Sequence, residues 1–313
     1  MSDDVVEVNR VNATFEIRNS GNGKGLGGFA KRKILKGEVI VAEPPLLKIP
    51  DSAIGSLDEA MHFANTEFKK LSEIDKKRVL SLFNAFPERG VSGIIQSNAL
   101  PTDDGGGLFP TLARFNHACN PNANQSWISK KNEQRVYAVR DIEQGEEIFY
   151  KYIPALFMTY SERHSVLSQH FRFECKCMHC ESLSQNSDKK AKSDSNRSRL
   201  ASIKDDFSEL ENDPEEALSL LREMEELILE EGGHEGELAP FIYDTFVNCI
   251  TTPKYLKKAD GLIQRAHKVL SNCLPSFSLI IFCSLNFFLP PSSSFPPSLS
   301  PHWIIFSLLR PKY

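Results

Sequence analysis

The sequence predicts an α+β fold, on three observations. Short β-type runs broken by glycines fill residues 14–49, strand-like runs return between 91 and 152, and the periodic segments from 160 to 270 are helical. The 313 residues are 41% hydrophobic and 25% charged, a globular balance that excludes a chain disordered throughout, a collagen and a small disulfide scaffold.

Taken in order, Phe15-Glu16-Ile17, the glycine-rich Gly23-Lys24-Gly25-Leu26-Gly27-Gly28 and Val39-Ile40-Val41-Ala42 read as strands joined by tight turns. Between Ser56 and Phe86 the apolar residues Leu57, Met61, Ala64, Phe68 and Leu71 recur at helical spacing, with Ser56 and Glu59 placed as a capping box. Strands are expected again at 91–95, 126–128, 135–139 and 147–152, and a helix at 160–169. Residues 184–199 contain no large apolar side chain and are expected to be a linker. Beyond them, 214–231, capped by Asp213, and 240–249 and 255–270 read as helices. The domain expectation is therefore 12–158 with a helical insert at 56–86, a cysteine-rich segment at 159–182, a linker at 183–200 and a shortened helical region at 201–273.

Composition breaks at the far end. No Asp or Glu follows Asp260, and residues 274–313 hold seven of the 18 prolines with neither helical nor strand periodicity. That tail is expected to be aberrant or disordered, as a retained intron or a wrong gene model would give, with a lipid anchor or membrane tail as the alternative. Its most apolar stretch, 277–289, is shorter than the about 20 residues that cross a bilayer, so no membrane segment is expected. The acidic N-terminus lacks a secretory apolar run. With 37 basic against 41 acidic residues the chain carries −4, so direct nucleic-acid binding is not expected and an acidic surface would suit a basic substrate.

Three of seven cysteines, Cys175, Cys177 and Cys180, lie within six positions, which reads as a metal site with the alternative of free surface thiols. A tetrahedral structural zinc needs a fourth ligand from elsewhere. Three further motifs stand in order: Lys24-Gly25-Leu26-Gly27 with Glu43-Pro44-Pro45-Leu46, then Arg114-Phe115-Asn116-His117-Ala118-Cys119-Asn120-Pro121-Asn122, then Gly145-Glu146-Glu147-Ile148-Phe149-Tyr150-Lys151-Tyr152. Together with Phe171-Arg172-Phe173-Glu174-Cys175-Lys176-Cys177-Met178-His179-Cys180, this order resembles the SET-domain protein lysine methyltransferases, closest to the SET and MYND type, over roughly residues 12–182.

The resemblance implies a β-rich SET fold of several small sheets with a pseudoknot-like threaded loop, a zinc-bound post-SET loop and an α-helical C-terminal extension. It implies that Cys119 completes a structural zinc site with Cys175, Cys177 and Cys180; His179, inside the loop, is a rival ligand. For S-adenosylmethionine it implies backbone approach at Lys24, Gly25 and Leu26, contacts from Asn98, Asn116 and His117, and Phe173 over the adenine. Read without the family, Gly23–Gly27 is equally a glycine-rich hairpin turn. Tyr152 matches the catalytic tyrosine beside the transferred methyl, and Phe171 an aromatic wall of the lysine channel, where Phe in place of Tyr would permit more than one methyl addition.

The chain also departs from the pattern. Ala118 stands where Ser is usual, Pro154 where Asp is common, and no cysteine lies between 50 and 100, so the MYND zinc finger is expected to be absent. The expectation is a protein-lysine N-methyltransferase, moving methyl groups from S-adenosylmethionine to lysine side-chain amines of histone or non-histone proteins, monomeric, in the nucleus or cytoplasm. The alternative is a catalytically inactive SET module acting as a scaffold.

Overall fold

The computed structural model describes residues 12–21, 23–53, 56–210 and 212–273. The expectations for 274–313, and for Cys283 within it, lie outside those residues. Ten strands open the chain: β1 Phe15–Asn19, β2 Leu26–Ala30, β3 Val39–Glu43, β4 Leu47–Pro50, β5 Leu100–Thr102, β6 Gly105–Leu108, β7 Asn116–His117, β8 Ala123–Ile128, β9 Glu133–Ala138 and β10 Glu147–Tyr150. They form three small sheets, ordered β1-β2-β10-β7, β3-β9-β8 and β4-β6-β5. Phe15, Ile17, Phe109, Leu112, Phe115 and Ile148 are buried between them. β1 and β2 make the hairpin expected from the glycine turn, paired from Phe15↔Ala30 to Asn19↔Leu26.

The helical insert is α1, Leu57–Lys70, capped by Ser56, and α2, Glu73–Leu80, capped by Ser72. Ala60, Ala64, Val79 and Leu82 bury against Leu47, Ile49 and Leu108 of the third sheet. Residues 91–95, expected as a strand, instead begin α3, Val91–Asn98, whose N-cap Gly90 has φ +57°. A five-residue segment with three β-branched apolar residues does not distinguish strand from buried helix. Here Ile94 and Ile95 join the insert's core, which a helix face supplies.

After α4, Tyr160–Phe171, and α5, Met178–Ser184, the expected linker is the first half of a helix, α6, Ser187–Glu209. The boundary at 200 therefore disappears. Asn186 caps α6, and the face that turns inward is Ser193, Arg197, Leu200, Ile203 and Phe207. Its N-terminal half is buried through polar partners: Ser193 donates to Glu231 at 2.7 Å, and Arg197 Nε donates to the same carboxylate at 2.7 Å. A search for apolar side chains misses such a face, because its partner is distant in sequence. α7, Pro214–Glu230, α8, Ala239–Ile250, and α9, Leu256–Cys273, complete the helical region around Leu220, Met224, Ile228, Ile242 and Ile263. No helix among the described residues is long and apolar enough to cross a membrane.

Candidate active site and thiolate centre

β7 is two residues long, yet it fixes the site, because Asn116 and His117 pair in parallel with Phe149 and Tyr150 of β10. The crossing is clamped by Asn122, a buried side chain. Its amide donates to Glu147 O at 2.8 Å and to the Glu146 carboxylate at 2.9 Å, while its Oδ1 accepts from Phe149 N–H at 2.8 Å. Asn116 donates to Leu26 O at 3.1 Å and to Glu147 Oε1 at 2.8 Å, and Ser20 Oγ donates to that oxygen at 2.6 Å. Asn116 is thereby tied to Leu26 through that residue's carbonyl and to Ser20 through the Glu147 carboxylate. Lys24 lies with its ammonium 5.7 Å from the Phe149 ring centre. Gly25 turns the chain at φ +77°, a conformation that suits a residue without Cβ. At Gly27 a Cβ would stand 2.3 Å from Glu147 Oε1 and 3.0 Å from Asn116 Nδ2, so the strand runs against the polar cluster with no room for a side chain.

Tyr152 leaves β10 into a group of rings. Its centroid lies 5.3 Å from His117, 5.4 Å from Tyr150, 5.2 Å from Phe171 and 6.3 Å from Phe173. The phenol donates to Phe115 O at 2.7 Å. Burial pushes the Tyr152 hydroxyl well above the usual tyrosine range, so it stays protonated at physiological pH. His117 is also held neutral, its pKa lowered to about 4 by burial. Its Nδ1 accepts the Tyr152 N–H at 3.0 Å, which assigns the ring proton to Nε2, and Nε2 faces Cys119 Sγ at 3.5 Å. Both imidazole nitrogens are therefore engaged inside the protein, one on the tyrosine backbone and one on a cysteine. Asn98 stands at the end of α3, where its amide donates to Phe83 O at 2.7 Å and Ile94 O at 2.6 Å.

The sulfurs of Cys119, Cys175, Cys177 and Cys180 all lie within 4.8 Å of one another. Cys119 Sγ is 3.9 Å from Cys175 Sγ and 3.5 Å from Cys180 Sγ. Four thiolates about 2.3 Å from a tetrahedral zinc would stand about 3.8 Å apart, so the donor set fits that ion. Its members are three buried cysteines and half-buried Cys177. Crowding drives them in opposite directions: contact with Cys175 raises the Cys119 thiol, and contact with Cys119 lowers Cys177. A divalent cation would let all four ionise. His179 is not among the donors. Its Nε2 accepts from Arg197 Nη2 at 3.0 Å, and burial holds it at about 4.

Sequence reasoning passed over Arg163. Its side chain is 0% exposed, it donates to Met158 O at 2.6 Å, and its Nε and Nη2 have no protein hydrogen-bond partner. It lies against the thiols of Cys119 and Cys180. A zinc tetrathiolate carries two negative charges, and a buried guanidinium beside it supplies one opposing charge. Only the fold brings Arg163 to Cys119. Glu147 and Asn122 were legible as motif members, but not as the groups that orient Asn116 and clamp the crossing.

Residues 25–153 match the SET domain family, so the chain carries a SET domain. The chain is 39% identical over 160 residues to histone-lysine N-methyltransferase set5 of Schizosaccharomyces pombe, covering 50% of this chain and 47% of that protein. It is 33% identical over 127 residues to human histone-lysine N-methyltransferase SMYD3, covering 41% of this chain and 28% of that protein. Over 76 residues it is 37% identical to human N-lysine methyltransferase SMYD2, covering 24% and 17%. The chain thus spans less than half the length of these curated relatives. Its fold is the expected one, a SET arrangement of small sheets with a helical C-terminal region.

Proposed function

We propose that this protein transfers a methyl group from S-adenosylmethionine to the side-chain amine of a lysine in a protein. The observation that carries the reading is the meeting of Tyr152 with His117, Phe171 and Phe173 beside the Asn116–Glu147 pair. Lys24, Gly25, Leu26 and Asn116 would hold the cofactor, with Phe173 alongside; the polar Glu147–Asn116 pair suits a zwitterionic amino-acid group. S-adenosylmethionine supplies an electrophilic methyl on a sulfonium. The lysine lone pair forms the N–C bond as the C–S bond breaks, and the electron pair leaves on sulfur.

The amine must be neutral, although its reference pKa is about 10.4. Among the described residues around Tyr152 none is assigned as its base: Tyr150 and Tyr152 are held protonated by burial, both nitrogens of His117 are occupied, and the Glu147 carboxylate already accepts from Ser20 and Asn116. The proton is therefore lost to solvent as the ammonium enters an apolar, aromatic channel. Tyr152 then contributes position and dipole, not proton abstraction. The four cysteines would hold a structural zinc that leaves no open coordination position.

The substrate class is a histone or non-histone protein lysine, which the names of the relatives support, and the proposed site of action is the nucleus, the cytoplasm or both. We also propose that Phe171 permits more than one methyl addition; strictly monomethylated product would refute it. Calorimetry with S-adenosylmethionine followed by radiolabelled transfer to a protein extract tests the whole reading. Tyr152→Phe is expected to retain binding and lose transfer about a hundredfold. Wild-type protein that binds the cofactor and transfers nothing would instead make it a scaffold.

A further inference from the structure

The segment Phe171-Arg172-Phe173 carries two of the rings packed on Tyr152, and the residue between them reaches across to the helical insert. Arg172 ends α4 with φ +53°, a left-handed conformation in which glycine is the common residue. Its guanidinium donates both terminal nitrogens to one carboxylate: Nη1 to Glu88 Oε2 at 3.1 Å and Nη2 to Glu88 Oε1 at 2.6 Å. The same guanidinium lies 4.4 Å from the ring centre of Phe86. Arg172 and Glu88 are 84 positions apart, with side chains 47% and 52% exposed.

The far end of this contact is anchored. Phe86 is buried, and Arg89 also lies against its ring, 4.8 Å from the centre. Phe86 N–H donates to Asn84 Oδ1 at 2.9 Å, and Asn84 Nδ2 donates to Gly90 O at 3.0 Å, so the loop 84–90 closes on itself. α3 packs on it so tightly that a Cβ at Gly93 would stand 2.2 Å from Phe86 O. The near end is the aromatic group. Phe171 and Phe173 stand 6.4 Å apart with rings inclined at 62°, one on each side of the clipped residue.

We infer that Arg172 is a positioning residue for methyl transfer: gripped by Glu88 and Phe86, it clips the Phe171–Phe173 segment to the helical insert and holds the aromatic site narrow. This rests on the methyl-transfer reading above. A bidentate guanidinium–carboxylate pair adds direction as well as attraction, and the ring beneath it adds a cation–π contact. Because the pair is exposed, its contribution to global stability is small and screened by salt. Its effect falls on the local geometry of two rings, so it is read in ligand affinity and product, not in folding.

The test uses the full, zinc-loaded chain and four proteins: wild type, Arg172→Gly, Glu88→Gln, and the charge swap Arg172→Glu with Glu88→Arg. Glycine keeps the left-handed backbone without strain, so Arg172→Gly removes the clip and leaves the fold. Binding of S-adenosylhomocysteine is measured by calorimetry at low and high sodium chloride. Arg172→Gly and Glu88→Gln are expected to bind about fivefold more weakly than wild type at low salt, the combined reach of an exposed ion pair and a cation–π contact. Wild type should approach them at high salt, while Arg172→Gly stays flat. The charge swap should recover most of the loss.

Mass spectrometry of methylated protein in an extract gives a second readout: a loosened site should raise the share of di- and trimethylated lysine. Thermal midpoints should agree among all four. Equal affinity of wild type and Arg172→Gly at both salts, or a charge swap no better than the single variants, overturns the proposal. A wild type that does not bind S-adenosylhomocysteine overturns the methyl-transfer reading and this inference together, whereas a binding, transferring wild type indifferent to Arg172 overturns this inference alone.

Discussion

Two adjacent glycines of β2 should fail in opposite ways when a methyl group is added. At Gly28 a Cβ would lie 2.3 Å from Phe115 Cε1 and 2.5 Å from Cδ1. Phe115 is fully buried, with its ring 5.0 Å from that of Phe15, and has nowhere to move. Overpacking a core this closely costs about 3 kcal/mol, which for a domain of this size lowers the thermal midpoint by about 6–12 °C. At Gly27 the obstructing atom is the free end of a side chain, Glu147 Oε1 at 2.3 Å, which can swing away.

Swinging it away releases Ser20 Oγ and Asn116 Nδ2, the two donors that this oxygen accepts from at 2.6 and 2.8 Å. The stability cost is about 1 kcal/mol once the reduced freedom of the unfolded chain is set against the lost hydrogen bonds, or about 2–4 °C. The cofactor cost is larger, because Asn116 loses its orientation; one misplaced hydrogen bond weakens binding about tenfold. Differential scanning calorimetry and titration with S-adenosylmethionine separate the two variants. Gly28→Ala should melt about 6–12 °C lower, and Gly27→Ala should melt only slightly lower but bind weakly. Equal thermal losses, or a Gly27→Ala protein with unchanged affinity, would refute the reasoning.

The thiolate centre and the acid response give two further outcomes. Cys175→Ser should abolish stoichiometric zinc, and Arg163→Met should weaken zinc about 10- to 100-fold by removing the counter-charge; chelator competition with metal analysis measures both, and unchanged zinc affinity in Arg163→Met would show that the guanidinium plays no such part. His234 is held at about 3 by burial, with Lys151 and Lys36 nearby, and its Nδ1 accepts the Gly236 N–H at 3.1 Å. A histidine kept neutral in the fold binds its proton more readily when unfolded. The contribution of His234 to stability is therefore complete above about pH 6.5 and falls by about 1.4 kcal/mol per pH unit below it, toward pH 3. His234→Gln should lessen the overall acid slope by that contribution in denaturant titrations between pH 7 and pH 5, with His117 and His179 supplying the remainder; an unchanged slope would refute it.

The legible parts of the molecule were those written in local pattern. The β1–β2 hairpin, the insert helices with their Ser56 cap, and the helices beginning at Tyr160 and Pro214 follow from turn glycines, capping residues and helical spacing. The partnership of Cys119 with the Cys175–Cys180 loop was implied by the family resemblance, and the sulfur distances agree with it. What misled the reading was also local: the β-branched segment at 91–95 suits either element, and the polar run before Leu200 hides a buried face.

The sequence by itself determined the β1–β2 hairpin, the insert helices, the helices beginning at Tyr160 and Pro214, the residues of the motifs and the four cysteines. Tertiary structure decided how they act on one another. Parallel pairing of Asn116–His117 with Phe149–Tyr150 placed Tyr152 on His117, and His117 on Cys119. Arg197 reached Glu231, and Arg172 reached Glu88. Spacing along the chain encodes contacts within a strand, a helix or a turn, because those repeat with fixed period. A buried ion pair or a ring cluster has no period, and depends on where separate elements come to rest.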